Sequence, residues 1–447
     1  MAEKKNKKDF IKVKWNPNYV MVTYTHNSES VTEPLNEYFD KFKEGKKPKI
    51  TKYDVMKVIE NIKCLLFHYN IVARFNVLKA SYEIFVNNGV YKMEDCLINI
   101  QDKATKHNFK ITKERLMDSL IYIAKGKRYN PVKDYLIGCH KYFLKKPDLA
   151  IFKKIADTIE SPCQLKEKYI GRFLLQMVHL VCSKDDDQTA SQYLLVLQGK
   201  QGLGKTTWLQ NLLPKKFRAQ YFLGGRVLDL SNKDHVMETI TNWLCEMGEI
   251  SSTFKKSDQE ALKNFITSFK DKFRLPYAKE PIEQKRRTTL CGTTNDREYL
   301  KDLTGTRRFL TLNCTGINFN HNIDLDMLWG YMYSFYLQDR PYWFENDEIE
   351  EIMTENNKFL SKSELILTIE EYFDLFPKEP DGDANEEAGK WMKAVDIYDV
   401  LKPFMADLQL NKFNVNKFSI SRELKKLNMK MSYDNHKNVT MFYVKRL

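Results

Sequence analysis

Apolar positions along this chain follow two rhythms. Unbroken runs such as Tyr193-Leu-Leu-Val-Leu197 and Thr288-Thr-Leu-Cys-Gly292 predict buried strands, and Asn242-Trp-Leu-Cys-Glu246 is a third. Spacings of three and four predict helices from about Lys166 to Cys182, from Thr207 to Leu213 ahead of Pro214, and from Lys233 to Thr241. Ser257-Asp-Gln-Glu260 reads as a capping box opening a further helix, with Ala261, Leu262, Phe265 and Ile266 on one face. Strands alternating with helices in this way predict an open α/β sheet of three αβα layers.

On either side the pattern changes. Upstream, Ile71 to Val77 and Ser81 to Val86 predict a strand pair, Ile111 to Ile123 a helix, and Tyr129-Asn-Pro-Val-Lys-Asp-Tyr-Leu136 a turn entering another. Downstream, a helix from Val395 to Phe404, one from Ser419 to Leu427, and a strand–turn–strand around Asp434 to Asn438 predict a winged helix-turn-helix. The expected domains are a basic tail (1–14), an α+β accessory domain for DNA binding or oligomerisation (15–163), and the central α/β domain (164–345). A helical extension (346–376), a linker (377–390) and the winged helix (391–447) follow.

The 447 residues, 43% of them hydrophobic, are ample for several packed cores. No apolar stretch approaches the roughly 20 residues of a membrane span, and the lysine-rich start carries no secretion signal. The eight cysteines are scattered singly, without a paired spacing or companion histidines, which points to reduced thiols in a cytoplasm and away from a zinc site. The balance of 72 basic to 59 acidic residues, +13 net, points first to nucleic acid as partner.

The chemistry centres on one loop. Gly199, Lys200, Gln201, Gly202, Leu203, Gly204, Lys205, Thr206 and Thr207 fit the phosphate-binding pattern G-x-x-x-x-G-K-[ST], between a predicted strand and a predicted helix as that pattern requires. Backbone N–H groups would cradle the phosphates of ATP, Lys205 would reach the β and γ oxygens, and Thr206 would ligate Mg²⁺. Glu246, at a strand end, is assigned to the metal shell, partly through water, and Glu249 to the base that activates the attacking water. Asn295, just past another strand, would orient that water and sense the γ-phosphate, and Arg307 or Arg308 would act as an arginine finger. Lys272, Arg274, Lys279, Lys285, Arg286 and Arg287 fall in a charged, aromatic hairpin suited to single-stranded DNA. Ser421, Arg422, Lys425 and Lys426 lie on the expected recognition helix, where origin duplex DNA or a protein partner would dock.

Seven segments together carry a resemblance. They are Tyr129-Asn-Pro-Val-Lys-Asp-Tyr-Leu, Gln198-Gly-Lys-Gln-Gly-Leu-Gly-Lys-Thr-Thr, Trp243-Leu-Cys-Glu-Met-Gly-Glu, Lys256-Ser-Asp, Tyr277-Ala-Lys-Glu, Gly292-Thr-Thr-Asn, and Tyr299-Leu-Lys-Asp-Leu-Thr-Gly-Thr-Arg-Arg-Phe. From about 60 to 345 the chain resembles the virulence-associated protein E family of phage and mobile-element replication proteins, whose AAA+ core is similar to superfamily 3 helicases. The resemblance implies ATP-driven unwinding by a homo-oligomeric ring, normally a hexamer, in the cytoplasm of a bacterial host, with a primase or initiator as possible partner. It also implies a pore lysine, for which Lys279 is the choice and Lys272 and Lys285 stay open. The adjacent acidic pair of superfamily 3 is here split as Glu246-Met-Gly-Glu249, which leaves the division of labour between the two open. Priming is not carried over, since no zinc-ribbon cysteine set accompanies these motifs. The rival expectation is a DNA-binding ATP switch that does not unwind processively.

Overall fold

The computed structural model describes residues 21–26, 28–34, 41, 48, 50–53, 58–87, 89–106, 109–226, 228–248, 250, 256–274, 281–300, 306–361, 364–377, 389–404, 416–425, 427, 429–434 and 439–447. The fold is mixed α/β in two compact units, Met1–Pro131 and Val132–Leu447.

In the first unit β1 (Met21–His26) pairs antiparallel with β2 (Glu29–Pro34) and β3 (Ile50–Tyr53). After the helix Val58–His68, four strands form a second sheet: β4 (Val72–Asn76), β5 (Ser81–Val86), β6 (Gly89–Lys92) and β7 (Arg128–Tyr129), in the order β6-β5-β4-β7. The predicted strand pair is therefore present, and the predicted helix is Lys113–Lys125, capped by Thr112, whose side chain accepts from the Arg115 N–H at 3.3 Å. Ala73 and Ile84 on one sheet face join Leu97, Ile100, Leu116 and Leu120 of the following helices in one core.

The second unit begins earlier than the expected boundary at 163. Its first helix, Pro131–Lys145, packs on the helix Leu325–Leu337: the Tyr135 hydroxyl donates to Asp326 at 2.6 Å, and a Cβ at Gly330 would overlap the Cys139 carbonyl. Residues 132–163 thus share a core with the central domain. A two-residue strand, β8 (Ile159–Glu160), precedes the long helix Lys166–Cys182, found at the bounds read from the sequence. One polar residue in that helix, Gln176, is fully buried. Its Nε2 donates to the Tyr193 carbonyl and its Oε1 accepts from the N–H groups of Gln192 and Tyr193, fixing the entry into the next strand.

That strand, β9 (Leu194–Gln198), belongs to a five-stranded parallel sheet with β10 (Phe222–Arg226), β11 (Leu244–Met247), β14 (Thr289–Thr294) and β15 (Phe309–Asn313), in the order β10-β11-β14-β9-β15. β9, β11 and β14 are buried at every position, as expected of parallel strands covered on both faces. Between β11 and β14 lie the helix Lys256–Thr267, which starts one residue ahead of Ser257, and the antiparallel hairpin β12 (Lys270–Phe273) and β13 (Ile282–Lys285). After β15, β16 (Gly316–Ile317) returns to pair with β8.

The chain continues through the helices Asn346–Asn356 and Glu364–Tyr372 into β17 (Phe373–Asp374). Then come β18 (Lys390–Lys393), the helices Ala394–Leu401 and Lys417–Lys425, and the antiparallel pair β19 (Met431–Asp434) and β20 (Val439–Arg446), in the order read from the sequence. Lys390, placed in the linker, opens β18, and 378–388 lie outside the described residues. Ile397, Leu401, Ile420, Leu424 and Phe442 belong to the same core cluster as Leu194 and Val196 of the parallel sheet. Among the described residues no helix is long and apolar enough to cross a membrane.

Candidate nucleotide site

The glycine loop leaves the carboxyl end of β9, where β11 and β14 also end. Gly202 and Gly204 take φ of +85° and +81°, left-handed values that side chains resist, so the loop turns where glycine permits it. A Cβ at Gly204 would also overlap the Phe319 ring. The helix Lys205–Asn211 starts here, with the Trp208 N–H donating to the Gly204 carbonyl at 2.8 Å. Lys200, Gln201, Gly202, Thr206 and Thr207 are exposed, Leu203 and Gly204 half-buried, and Gly199 is buried against Cys314.

Lys205 is only 8% exposed, and its ammonium donates to the carbonyls of Gly199 (2.7 Å) and Lys200 (2.9 Å) and to Asn295 Oδ1 (2.9 Å). Asn295 is in place because β14 runs beside β9, with the Gly199 N–H donating to the Thr294 carbonyl. Two strands away from β9, Glu246 is fully buried on β11. Its Oε1 accepts from Thr293 (2.6 Å) and Thr206 (3.3 Å), and its Oε2 from the Gly225 N–H (2.5 Å). Three donors thus converge on the carboxylate and fix its orientation. The Cys314 thiol beside Gly199 is pushed up to about 12 by burial, against the pull of Lys205, so it stays protonated near neutrality.

The loop, Thr206, Glu246 and Asn295 therefore meet, although they come from segments some 100 residues apart. Thr293, Gly225 and Phe319 complete the site and were not singled out in the sequence. The Gly224-Gly225 pair behind Phe222-Leu223 was the available signal for the second of them. Glu249 lies outside the described residues.

Arg307 and Arg308 are not brought to this cluster. They form a short 3-10 turn immediately before β15, level with Tyr193 at the amino end of β9. Six residue steps, about 20 Å of extended chain, separate Tyr193 from Gly199. Burial, and after it the neighbouring Arg307, lowers the Arg308 pKa, while Arg307 is exposed.

The hairpin cations divide. Lys272 and Arg274 are exposed, and Lys279 lies outside the described residues. Lys285, Arg286 and Arg287, expected to face DNA, instead point into the fold at 3–4% exposure. Lys285 donates to the carbonyls of Asp187 (2.8 Å) and Thr189; Arg286 forks onto Asp271 and lies 3.8 Å from the centre of the Phe265 ring; Arg287 pairs with Asp185 at 2.6 Å. Lys285 and Arg287 tie the hairpin base to the loop feeding β9, Arg286 ties it to β12 and the preceding helix, and cations buried on these partners do not face a phosphate backbone. On the helix Lys417–Lys425, Ile420 and Leu424 face inward while Arg422 and Lys425 are exposed; Lys426 lies outside the described residues.

Residues 149–361 match the family model of the virulence-associated protein E-like domain. No curated protein matches the chain. Among solved structures, the chain is similar to the apo structure of the NrS-1 C-terminal region (305–718), at 13% identity and a TM-score of 0.45, covering 86% of this chain and 98% of that one. The A-form apo structure of the same region aligns at 11% identity and a TM-score of 0.41, over 86% and 99%.

Proposed function

We propose that this protein is an AAA+-type, Mg²⁺-dependent ATP hydrolase that works as a replicative DNA helicase of a phage or mobile element. The observation carrying the reading is the set Lys205, Thr206, Asn295 and Glu246, hydrogen-bonded at the carboxyl ends of adjacent parallel strands around a glycine loop. Lys205 exchanges its carbonyl partners for β and γ phosphate oxygens, and Asn295, already on Lys205, registers the γ-phosphate. The Thr206 hydroxyl and the Glu246 carboxylate, 3.3 Å apart, form an all-oxygen donor pair of the kind Mg²⁺ takes, directly or through water. Bound there, Mg²⁺ would neutralise charge on the transferred phosphoryl group. Glu249 remains the proposed base.

Arg307 and Arg308, at the far end of the sheet from their own loop, suit a role on a neighbour's γ-phosphate in a ring, possible only in an oligomer. Lys272, Arg274 and Lys279 of the hairpin are the proposed contacts to single-stranded DNA. Arg422, Lys425 and Lys426, on a winged helix, are those to duplex.

Strand displacement on forked duplexes tests the reading. The full chain with ATP and Mg²⁺ is expected to release the labelled strand from a fork with one of the two overhangs, with turnover stimulated by single-stranded DNA. Turnover stimulated by duplex alone, with no strand released from either fork, would replace the helicase with a DNA-binding ATP switch.

A further inference from the structure

The positive charge of this chain is unevenly placed. Residues 1–131 hold 25 basic against 15 acidic side chains and residues 132–447 hold 47 against 44, so ten of the thirteen surplus charges belong to the first unit. Within that unit, the four-stranded sheet turns Ala73 and Ile84 toward its helices. Strand alternation sends Val72, Arg74 and Asn76 to the opposite face, and the register sets beside them Phe85 and Glu83 of β5, Val90 and Lys92 of β6, and Tyr129 of β7. Arg74, Val90 and Lys92 are exposed, Phe85 and Tyr129 half-exposed.

The centre of this face is a built platform. The Phe85 and Tyr129 rings meet edge to face at 5.3 Å, and the Arg74 guanidinium lies 5.4 and 5.8 Å from their centres. The Tyr129 hydroxyl donates to Glu83, which also accepts from Asn76 (3.1 Å) and Ser81 (2.8 Å). Asn76 is fully buried, and its Oδ1 closes the β4–β5 turn by accepting from the N–H groups of Leu78 and Lys79. Glu83 is thus occupied by three donors, and it holds the tyrosine ring upright beside the arginine.

We infer that this sheet face binds single-stranded nucleic acid. Fixed aromatic rings and a guanidinium plane offer stacking surfaces for bases, while Arg74 and Lys92 meet phosphates. A duplex hides its base faces in its own stack, so only an unpaired strand can use such rings. The inference deepens the proposed DNA-dependent activity and rests on it for the choice of DNA over RNA.

The test is fluorescence anisotropy of the full chain with labelled oligo(dT) of about 30 nucleotides, longer than one such site needs. Phe85→Ala should weaken binding about tenfold, and Phe85→Leu, which keeps the apolar packing without a ring, nearly as much. Arg74→Gln and Lys92→Gln should each reduce the slope of log affinity against log salt by roughly 0.7. Unchanged oligo(dT) affinity in Phe85→Leu and Lys92→Gln, with circular dichroism intact, would overturn the inference. Loss of self-assembly in these variants at unchanged affinity would also overturn it, in favour of a protein interface. Binding is read without nucleotide, so a chain that hydrolyses no ATP would sink the proposed function and leave this platform standing.

Discussion

Two lysines at the two ends of β14 look alike by the usual measures. Lys285 stands just before the strand begins, and Lys205 is gripped by Asn295 just after it ends. They are 3% and 8% exposed, and each donates to two backbone carbonyls. The surroundings separate them. Lys205 sits beneath a loop whose Gln201, Gly202 and Thr206 are open to solvent, with a carboxylate held nearby on β11. Lys285 is buried near Arg287, Asp185 and Asp187, and its burial, with Arg287 adding to it, lowers its pKa to about 8. Burial and hydrogen-bond count therefore do not single out the lysine proposed to bind phosphate. The open glycine loop around Lys205 is what sets it apart.

The comparison breaks most visibly at Lys205. Lys205→Ala is expected to lower ATP turnover by at least about a thousandfold, on the order of 4 kcal/mol of transition-state stabilisation, with little change in thermal midpoint. Phosphate release at saturating ATP measures it, and near-normal turnover would remove the functional distinction between the two lysines. At the other end of β14 the expected loss is in folding. Arg286→Ala leaves Asp271 without its forked partner and empties the contact on Phe265, at a cost of about 3–5 kcal/mol, read as a lowered denaturant midpoint. If that variant were as stable as the parent and lost only oligonucleotide binding, the hairpin base would be a DNA surface after all.

Legibility follows the same division. The glycine loop, the helix Lys166–Cys182 and the buried strands were readable because each is signalled within its own segment: a motif, a 3.6-residue rhythm, an apolar run. The convergence of Glu246 and Asn295 on the loop followed from their places at strand ends. The fate of Lys285, Arg286 and Arg287 was not readable. The partners of Lys285 and Arg287 lie about 100 residues upstream, at Ser183 to Thr189, and a run of cations looks the same whether it faces solvent or a distant carboxylate. Strand β10 was missed because Gly224-Gly225-Arg226 interrupts its apolar run, although Gly225 supplies a donor to Glu246. The end of the first compact unit at Pro131 was not legible, because the turn at Tyr129 to Pro131 reads locally as an ordinary entry into a helix.

The smallest expected effect is also the finest test of the comparison. Lys285 ordinarily titrates near 10.5 and in the fold at about 8, lowered first by desolvation and then by Arg287 and Lys270, with Asp187 and Asp185 opposing. Below pH 8 both folded and unfolded chains hold the proton, and the fold bears the whole cost of the buried charge. Between pH 8 and 10.5 the folded chain has released the proton while the unfolded chain keeps it, so this residue's contribution to stability grows as pH rises, and it is lost again as pH falls through 8. Lys285→Met keeps the apolar stem and removes the titration. Other groups that titrate in this range are common to both chains and cancel in the difference. The gap in denaturant midpoint between parent and Lys285→Met should therefore shift in the parent's favour from pH 7.5 to pH 9.5, by less than either loss above. A gap independent of pH would mean that Lys285 keeps its proton in the fold, its carbonyl acceptors outweighing the cost of burial.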